Sequence, residues 1–177
     1  MRTPTLVLIG LRGSGKTTVG RLLATRLQGR EADGPGFVDL DDRTPSVLGC
    51  GSVADAWAAH GESAFRDAEM QALGAILSVD GEVCRVLALG GGTPTAPGAE
   101  AMLASQRDTG RVVLVYLRAM PDTLRERLSH ADNRDRPALL GGKDPLDEID
   151  AVFAQRDPLY CRLASVEVAC DGMTAEE

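Results

Sequence analysis

The feature that most constrains the fold is an apolar run near the N-terminus that leads directly into a glycine-rich turn. Residues 5–9 read TLVLI, which is typical of a buried strand, and residues 10–17 read GLRGSGKT. The second segment fits the pattern G-x-x-x-x-G-K-[ST]. An amphipathic pattern follows, because Val19, Leu23 and Leu27 recur at helical spacing. This succession predicts a strand, a phosphate-binding loop and a helix.

The chemistry of phosphate binding explains each residue type in the loop. Glycines let the backbone curl so that successive N–H groups point at phosphate oxygens, and the following helix adds the positive end of its dipole. Lys16 is expected to reach the β- and γ-phosphates, and the Thr17 hydroxyl is expected to ligate Mg²⁺. Lys16 is one of only two lysines in the chain, so the pattern rarely arises by chance. The loop therefore predicts a nucleoside triphosphate with Mg²⁺ as the donor and leaves the acceptor open.

Four further apolar runs predict the rest of a sheet. Most of them are continuously apolar, as expected for parallel strands that are covered on both faces, and helical patterns lie between them. We therefore predict an α/β fold, with three layers (α/β/α) around a central five-stranded parallel sheet of the P-loop NTPase type. One domain is expected to span residues 1–177. The five predicted strands are residues 5–9, 37–40, 83–89, 111–117 and 165–169.

Three polar, glycine-containing stretches interrupt this alternation, at residues 28–36, 44–51 and 132–144. The first two are expected to be irregular connections. The third reads DNRDRPALLGGKD and contains Arg134 and Arg136. A charged loop of this kind is often a mobile functional segment, so we expect a lid; an ordinary surface loop is the alternative. A lid arginine could neutralise charge in a transition state and exclude water.

Composition narrows the possible partners and the compartment. The formal net charge is −7 and only 3% of residues are aromatic, which argues against a general nucleic-acid binder. No segment approaches the roughly 20 apolar residues of a membrane span, and the N-terminus lacks the apolar region of a signal peptide. The four cysteines form no CxxC pair or zinc-type cluster, which favours reduced thiols. We expect a cytoplasmic monomer that acts on small molecules, with no nucleic-acid partner and no membrane association.

Two aspartates follow the second predicted strand, where residues 37–42 read FVDLDD. Alternate residues of a strand share a face, so Asp39 and Asp41 are expected to point the same way. Strand ends in an open α/β sheet face the ligand crevice. One carboxylate could support Mg²⁺ while the other accepts a proton from an attacking hydroxyl. The alternative is that one or both cap the following helix.

Arginines and glycines supply further candidate contacts. Arg66 is expected in the first turn of a helix, where Glu69 at i+3 could hold its guanidinium for a carboxylate ligand; a solvated helix face is the alternative. Residues 90–92 are three glycines after the third predicted strand, and they either bring bare backbone to a ligand or form a tight turn. Arg156 is expected near the end of a helix over 145–156.

Taken in order, these motifs resemble those of the shikimate kinases, and the likeness covers nearly the whole chain. The segments that carry it are GLRGSGKTTVGRLLA, DLD, ADAW with AFRDAE, LGGGTPT, RDRPALL and RDPLY. The loop alone is shared by many functions, whereas D-x-D, F-R-x-x-E, G-G-G and R-x-P-L-Y in combination are much more specific. The resemblance implies ATP- and Mg²⁺-dependent phosphorylation of the 3-hydroxyl of shikimate. The products would be shikimate 3-phosphate and ADP, in the chorismate route to aromatic amino acids.

The resemblance also implies roles for the matching positions. Asp41 would bind the shikimate hydroxyls and act as base or orienter, within a substrate-binding region over about 41–70. Lys16, on the transferred group, and Arg136, the lid arginine that contacts ATP, would be catalytic together with Asp41. The ATP contacts would be Gly13, Ser14, Gly15, Lys16, Thr17, Thr18, Arg127 beside the adenine, and Arg136. The metal ligands would be Thr17 and Asp39. The remaining substrate contacts would be Arg66 and Arg156 on the carboxylate, the backbone of Gly90, Gly91 and Gly92, and the aromatic walls Trp57 and Phe65.

Besides a fragment of a multifunctional polypeptide, against which Met1 and the complete order of the motifs argue, the residues themselves leave two rival interpretations open. One is another small-molecule kinase of the same fold, of the gluconate or adenylate type. No motif for a second nucleotide site is visible, and the glycine turn with two arginines favours a carboxylated polyol. The other is a binding or regulatory module that keeps the loop without catalysis, against which the intact set of Lys16, Thr17, Asp39 and Asp41 argues.

Overall fold

The structure is a computed structural model, and it describes residues 3–28, 36–78, 85–130 and 146–177. In this part of the chain the five strands are β1 Thr5–Ile9, β2 Phe37–Asp39, β3 Val86–Ala88, β4 Val112–Arg118 and β5 Val166–Ala169. The helices are α1 Lys16–Gln28, α2 Leu40–Val47, α3 Val53–Leu77, α4 Ala99–Asp108, α5 Pro121–Ser129 and α6 Ile149–Leu163, with a 3₁₀ turn at Thr93–Thr95. All strand pairs are parallel, in the order β2-β3-β1-β4-β5.

The predicted three layers are confirmed. Helix α1 contacts β1, β2 and β3, whereas α4 and α6 contact β4 and each other. Crossovers between parallel strands are almost always right-handed. Since the chain moves one way along the sheet from β1 to β2 and the opposite way from β3 to β4, α1 and α4 lie on opposite faces. The strands are buried between them, and Val7, Leu87 and Leu114 have no exposed surface.

Strand positions follow the sequence prediction with small shifts at their ends. Strand β1 has the predicted bounds, and β4 and β5 each begin one residue late. Strand β2 is one residue shorter than predicted, because Leu40 is already the first residue of α2. Strand β3 begins at Val86, after the described but non-strand Arg85, and ends at Ala88, one residue earlier than predicted; residues 79–84 lie outside the described part of the chain. The expected lid at 132–144 lies outside it as well.

The prediction of an irregular connection over 44–51 is wrong for its first half, which belongs to α2. The carboxylate of Asp39 caps this helix by accepting a hydrogen bond from the Asp41 N–H at 3.1 Å. A capped start stabilises the helix even though Pro45 lies inside it and lacks an N–H to donate. The helix ends two residues after the proline, where the Leu48 N–H bonds to the Pro45 carbonyl at 3.0 Å.

Helix α3 contains a break that changes where Arg66 lies. Gly61 has φ +77° and ψ 176°, which only a glycine adopts easily, and the helix restarts after it. Arg66 is the fifth residue past this break, so the expectation that it lies in the first turn of a helix is wrong. The restart directs Phe65 and Glu69 inward, where both are buried.

Two expectations from composition concern the membrane and the thiols. None of the described helices is long and apolar enough to cross a membrane. The described cysteines are Cys50, Cys161 and Cys170, and all three are free thiols.

Helix α5 is capped by a residue that follows strand β5. Its own N-cap position, Met120, provides no side-chain cap, and Pro121 follows it at the first helical position. Asp171, just after β5, accepts hydrogen bonds from the Met120 N–H at 2.9 Å and from Thr123 Oγ1 at 2.6 Å. These two bonds hold the pKa of Asp171 below its ordinary value. The contact ties the segment after β5 to the start of α5.

We predict that Asp171→Ala lowers the free energy of unfolding by about 1 kcal/mol, the usual effect of losing a helix cap. Asp171→Asn keeps an acceptor oxygen and should retain most of that stability. The contribution of Asp171 is complete above the ordinary aspartate pKa and is lost as pH falls through its lowered pKa, because a depressed carboxyl pKa favours the folded state only while the group is ionised. Urea unfolding at pH 7 and pH 3 measures this; equal stability of wild type and Asp171→Ala at pH 7 contradicts the cap.

Candidate active site

The loop after β1 has the geometry of a phosphate-binding site. Gly10 has φ +150°, and a Cβ there would lie 2.6 Å from the carbonyl oxygen of Leu117, so only glycine fits. Lys16 opens α1, is 9% exposed, and donates through Nζ to the carbonyls of Gly10 and Leu11 at 2.9 Å each. Ser14 Oγ is buried and has no hydrogen-bond partner among the described residues. The loop therefore contains a buried cation and a buried hydroxyl that has no partner among the described residues.

Asp39 caps α2, as the alternative interpretation expected, and it also contacts the phosphate-binding loop. One carboxylate oxygen caps α2, and the other accepts a hydrogen bond from Thr17 Oγ1 at 2.7 Å. Asp39 is also nearly buried. The cap and the contact with the phosphate-binding loop are therefore made by the same side chain.

Asp41 reaches the site by a different route from the one that strand periodicity suggested. It belongs to α2 and not to β2, so the argument that it shares a strand face with Asp39 is wrong. Its carboxylate nevertheless lies at the glycine turn after β3: a Cβ on Gly90 would be 2.7 Å from Asp41 Oδ1. The same Cβ would be 2.7 Å from Glu69 Oε1, so two carboxylates flank this glycine.

Arg66 is held in place by a buried carboxylate. Its Nη1 donates to Glu69 Oε2 at 2.6 Å, and the side chain of Glu69 is only 1% exposed. Thr93 Oγ1 donates to the other carboxylate oxygen of Glu69 at 2.8 Å. The Arg66 guanidinium lies 5.7 Å from the centre of the Trp57 ring, and Trp57 packs on Phe65 with ring centres 5.3 Å apart.

The burial of Glu69 sets two opposing effects on its pKa. Desolvation raises the pKa, while the adjacent Arg66 charge and the hydrogen bonds from Arg66 and Thr93 lower it. Desolvation is the larger effect, so the pKa of Glu69 lies above its ordinary value. The guanidinium of Arg66 is therefore the partner that makes an ionised carboxylate tolerable at this depth.

Helix α6 presents a second arginine to the same glycine turn. Arg156 lies in the middle of α6, and not near the end of a helix over 145–156 as predicted. Its Nη1 donates to the carbonyl of Gly91 at 2.9 Å, and the hydroxyl of Tyr160 donates to the same oxygen at 2.6 Å. Burial raises the pKa of Tyr160 to about 12, so this hydroxyl remains a donor at neutral pH. Arg66 borders the next residue, since a Cβ on Gly92 would lie 2.9 Å from its Nη2.

Arg127 connects the phosphate-binding loop to the segment after β5. It donates to the carbonyl of Ser14 at 3.4 Å, and its Nη2 donates to the carbonyls of Cys170 and Met173 at 2.8 and 3.2 Å. Three backbone oxygens from two distant segments therefore fix its guanidinium. The segment after β5 is thereby joined to the loop as well as to α5.

Two cavities meet at this site. A cleft of about 740 Å³ is lined by the loop residues 13–18, Asp39 and Arg127, and a smaller cavity of about 70 Å³ by Trp57, Phe65, Arg66, Glu69 and the three glycines 90–92. Three residues line both cavities, namely Arg12, Asp41 and Gly91. A large cleft next to the phosphate-binding loop therefore shares a boundary with a small aromatic and cationic cavity.

The structure brings together nearly all of the residues that the sequence singled out. Arg156 joins them through Gly91, while Arg134 and Arg136 lie outside the described residues. Sequence reasoning missed Arg12 and Tyr160. Arg12 occupies a variable position of the loop pattern, so the pattern gives no signal for it. Tyr160 lies within the segment RDPLY, but only the structure shows that its hydroxyl contacts the glycine turn, through the carbonyl of Gly91.

The sequence of this chain is similar to those of a known enzyme family. A family model described as shikimate kinase matches residues 12–177. The chain belongs to the shikimate kinase family. A shikimate kinase from Symbiobacterium thermophilum is 38% identical over 172 residues, which cover 97% of this chain and 90% of that protein. One from Mycobacterium avium is 39% identical over 165 residues, or 93% of this chain and 83% of that protein.

Solved structures similar to this one include shikimate kinases. The structure described as shikimate kinase from Acinetobacter baumannii in complex with shikimate has a TM-score of 0.79 and 29% identity, and the match covers 97% of this chain and 86% of that one. The predicted family and enzyme class, an ATP-dependent kinase acting on an alcohol group, are thereby confirmed. Membership of this family decides against the gluconate- and adenylate-type alternatives.

We predict that Glu69→Ala lowers the free energy of unfolding by about 3–5 kcal/mol, because it removes one partner of a buried ion pair and leaves Thr93 without its acceptor. Glu62→Ala is the matched control: Glu62 also pairs with Arg66, at 3.7 Å, but its side chain is 60% exposed. An exposed pair contributes about 0–1 kcal/mol, so this variant should unfold almost like wild type. Denaturant unfolding separates the two, and equal effects contradict a special role for burial.

Proposed function

We propose that this chain transfers the γ-phosphoryl group of ATP to the 3-hydroxyl of shikimate, with Mg²⁺, giving shikimate 3-phosphate and ADP. The observation that carries the proposal is the boundary between the two cavities, formed by Arg12, Asp41 and Gly91. Phosphoryl transfer needs donor and acceptor held in line, with a group nearby that takes up the hydroxyl proton. A carboxylate on the boundary between a phosphate-binding cleft and an acceptor cavity meets that need.

The loop residues suit a triphosphate and its metal ion. We assign the phosphates to residues 13–18, where Lys16 exchanges its two carbonyl partners for phosphate oxygens and the buried Ser14 hydroxyl gains one. Mg²⁺ prefers oxygen ligands and keeps few from the protein, and Thr17 Oγ1 with the Asp39 carboxylate offers such a set. When bound, Mg²⁺ neutralises charge on the β- and γ-phosphates. Arg127, fixed by three carbonyls, is assigned to the adenine side.

The acceptor cavity suits a ring with one carboxylate and several hydroxyls. Arg66 and Arg156 are assigned to the carboxylate, because an arginine fork matches a carboxylate with two hydrogen bonds. Glu69 holds Arg66 in one orientation before substrate binds, so little side-chain entropy remains to be lost on binding. Trp57 and Phe65 provide an apolar wall for the ring. The backbone of residues 90–92 is assigned to the hydroxyls.

Asp41 is assigned as the base or orienter of the 3-hydroxyl. It is the one carboxylate that lines both cavities in the described part of the chain. A proton leaving the attacking oxygen would pass to its carboxylate as the new P–O bond forms and the bond to ADP breaks. Arg136, in the lid proposed over 132–144, is assigned to the transferred group. We also propose that the enzyme acts in the cytoplasm as a monomer, without a nucleic-acid partner.

A coupled assay of ADP release tests the proposal, with shikimate, quinate, gluconate and AMP as acceptors. We expect turnover with shikimate far above that with gluconate or AMP. Removal of Mg²⁺ with a chelator should abolish turnover, and Mg²⁺ should restore it. Absence of shikimate-dependent ADP release, in a preparation that binds ATP, refutes the proposed function.

We predict that Asp41→Asn lowers kcat by roughly 10²–10⁴-fold and leaves ATP affinity nearly unchanged, because the amide cannot accept the hydroxyl proton. Asp42→Asn is the matched control, since Asp42 is adjacent, exposed and lines neither cavity. Steady-state kinetics with both substrates varied measure the effect. An unchanged kcat for Asp41→Asn contradicts its assignment as base and leaves the rest of the site in place.

A further inference from the structure

One carboxylate next to the site has no role in the function proposed above. Asp157 follows Arg156 in α6, and consecutive residues of a helix point about 100° apart. Asp157 therefore faces strand β4 while Arg156 faces Gly91. Its Oδ1 accepts hydrogen bonds from the Tyr116 hydroxyl at 2.8 Å and from Arg118 Nε at 2.7 Å, and its Oδ2 accepts one from Arg118 Nη2 at 2.9 Å.

This group of Asp157, Tyr116 and Arg118, here called the Asp157 clamp, is stronger than an ordinary surface pair. The side chain of Asp157 is only 14% exposed, and the bidentate contact fixes the plane of the Arg118 guanidinium. Burial would raise the pKa of Asp157, but the hydrogen bonds from Arg118 and Tyr116 outweigh burial and hold the pKa below its ordinary value. Arg118 also lies over the ring of Phe153 at 5.8 Å, one turn earlier in α6.

The clamp is connected to the substrate side of α6 through two rings. Tyr116 packs edge-on against Tyr160 with ring centres 5.5 Å apart, and the Tyr160 hydroxyl donates to the Gly91 carbonyl. Helix α6 is thus held on one side by β4 and on the other by the glycine turn. The clamp and the Gly91 contacts lie on different sides of α6. Because the helix is rigid, both groups of contacts form at only one rotational position about its axis.

We propose that Asp157 is a positioning residue for shikimate binding, which fixes the rotation of α6 so that Arg156 meets the substrate carboxylate. The inference rests on the proposed function, because it takes Arg156 as a carboxylate partner. Without the clamp, α6 would stay packed in the fold but its rotation would be less restricted, so the Arg156 guanidinium would shift from its position at Gly91. A displaced guanidinium loses hydrogen bonds to the carboxylate while the phosphate-binding loop stays intact. The clamp therefore acts on shikimate affinity and leaves ATP affinity alone.

The test uses the full chain and steady-state kinetics with both substrates varied. For Asp157→Ala we expect the KM for shikimate to rise roughly 10-fold, within the 10²-fold that a displacement of about 1 Å can cost. The KM for ATP and kcat should change by less than about threefold. A general loss of structure would instead change all three constants. Glu100→Gln is the matched control: Glu100 pairs with Arg162 of α6 at 3.4 Å, and both side chains are exposed. It should leave all three constants unchanged.

A double-mutant cycle with Arg156→Ala separates this inference from the proposed function. If Arg156→Ala leaves the KM for shikimate unchanged, the carboxylate assignment fails and the inference fails with it. If Arg156→Ala raises that KM and Asp157→Ala does not, only the inference fails. When Arg156 is already absent, Asp157→Ala should raise the KM for shikimate less than twofold further. A full 10-fold rise in that background shows that Asp157 acts by another route and overturns the inference.

Tyr116→Phe keeps the proposal testable if Asp157→Ala does not fold. The phenylalanine retains the ring contact with Tyr160 and the Arg118 pair, and removes only the hydroxyl that donates to Asp157. We expect a rise of roughly two- to threefold in the KM for shikimate, with kcat and the KM for ATP unchanged. Circular dichroism confirms folding. A folded Tyr116→Phe with wild-type KM for shikimate, beside an Arg156→Ala variant with a raised one, overturns the proposal.

Discussion

The rest of the site depends on how closely the glycine turn after β3 approaches the phosphate-binding loop after β1. A Cβ on Gly91 would lie 2.9 Å from the backbone nitrogen of Arg12, so no other residue allows this distance. The two strands are neighbours in the sheet, which brings both turns to the same edge. Because the turns nearly touch, the large cleft and the small aromatic and cationic cavity share a boundary, which under the proposed function gives a phosphoryl group a short path between them.

Local charge at this boundary differs from the charge of the whole chain. The formal net charge is −7, yet Lys16 lines the cleft, Arg66 lines the small cavity and Arg156 donates to Gly91 at their boundary; each is held by acceptors of the protein itself. Backbone carbonyls hold Lys16 and Arg156, and the buried carboxylate of Glu69 holds Arg66 at shorter distance than the exposed Glu62 does. A site built this way presents positive charge to anionic substrates while the remaining surface stays acidic.

The sequence predicted the elements whose signals are local, and failed where tertiary contacts decide. Continuous apolar runs gave the strands, and the loop pattern gave Lys16 and Thr17. Residues 44–47 were predicted to be irregular from the polar, glycine-containing composition of 44–51, whereas the helix that Asp39 caps continues through them. Arg12 and Tyr160 became visible only when sheet order placed their segments together. Asp41 was placed at the site for a wrong reason, since it extends from a helix and the strand period does not apply.

The two bonds of Asp39 have a thermodynamic consequence. One oxygen holds the first turn of α2, which carries Asp41, and the other holds Thr17 of the nucleotide loop. Any ligand that draws Thr17 away from this carboxylate changes the free energy of the helix that bears the acceptor-side residue. Linkage requires the reverse to hold with equal magnitude. With Thr17 assigned to the nucleotide and Asp41 to the acceptor, this linkage predicts that the affinities for the two substrates are coupled through the side chain of Asp39.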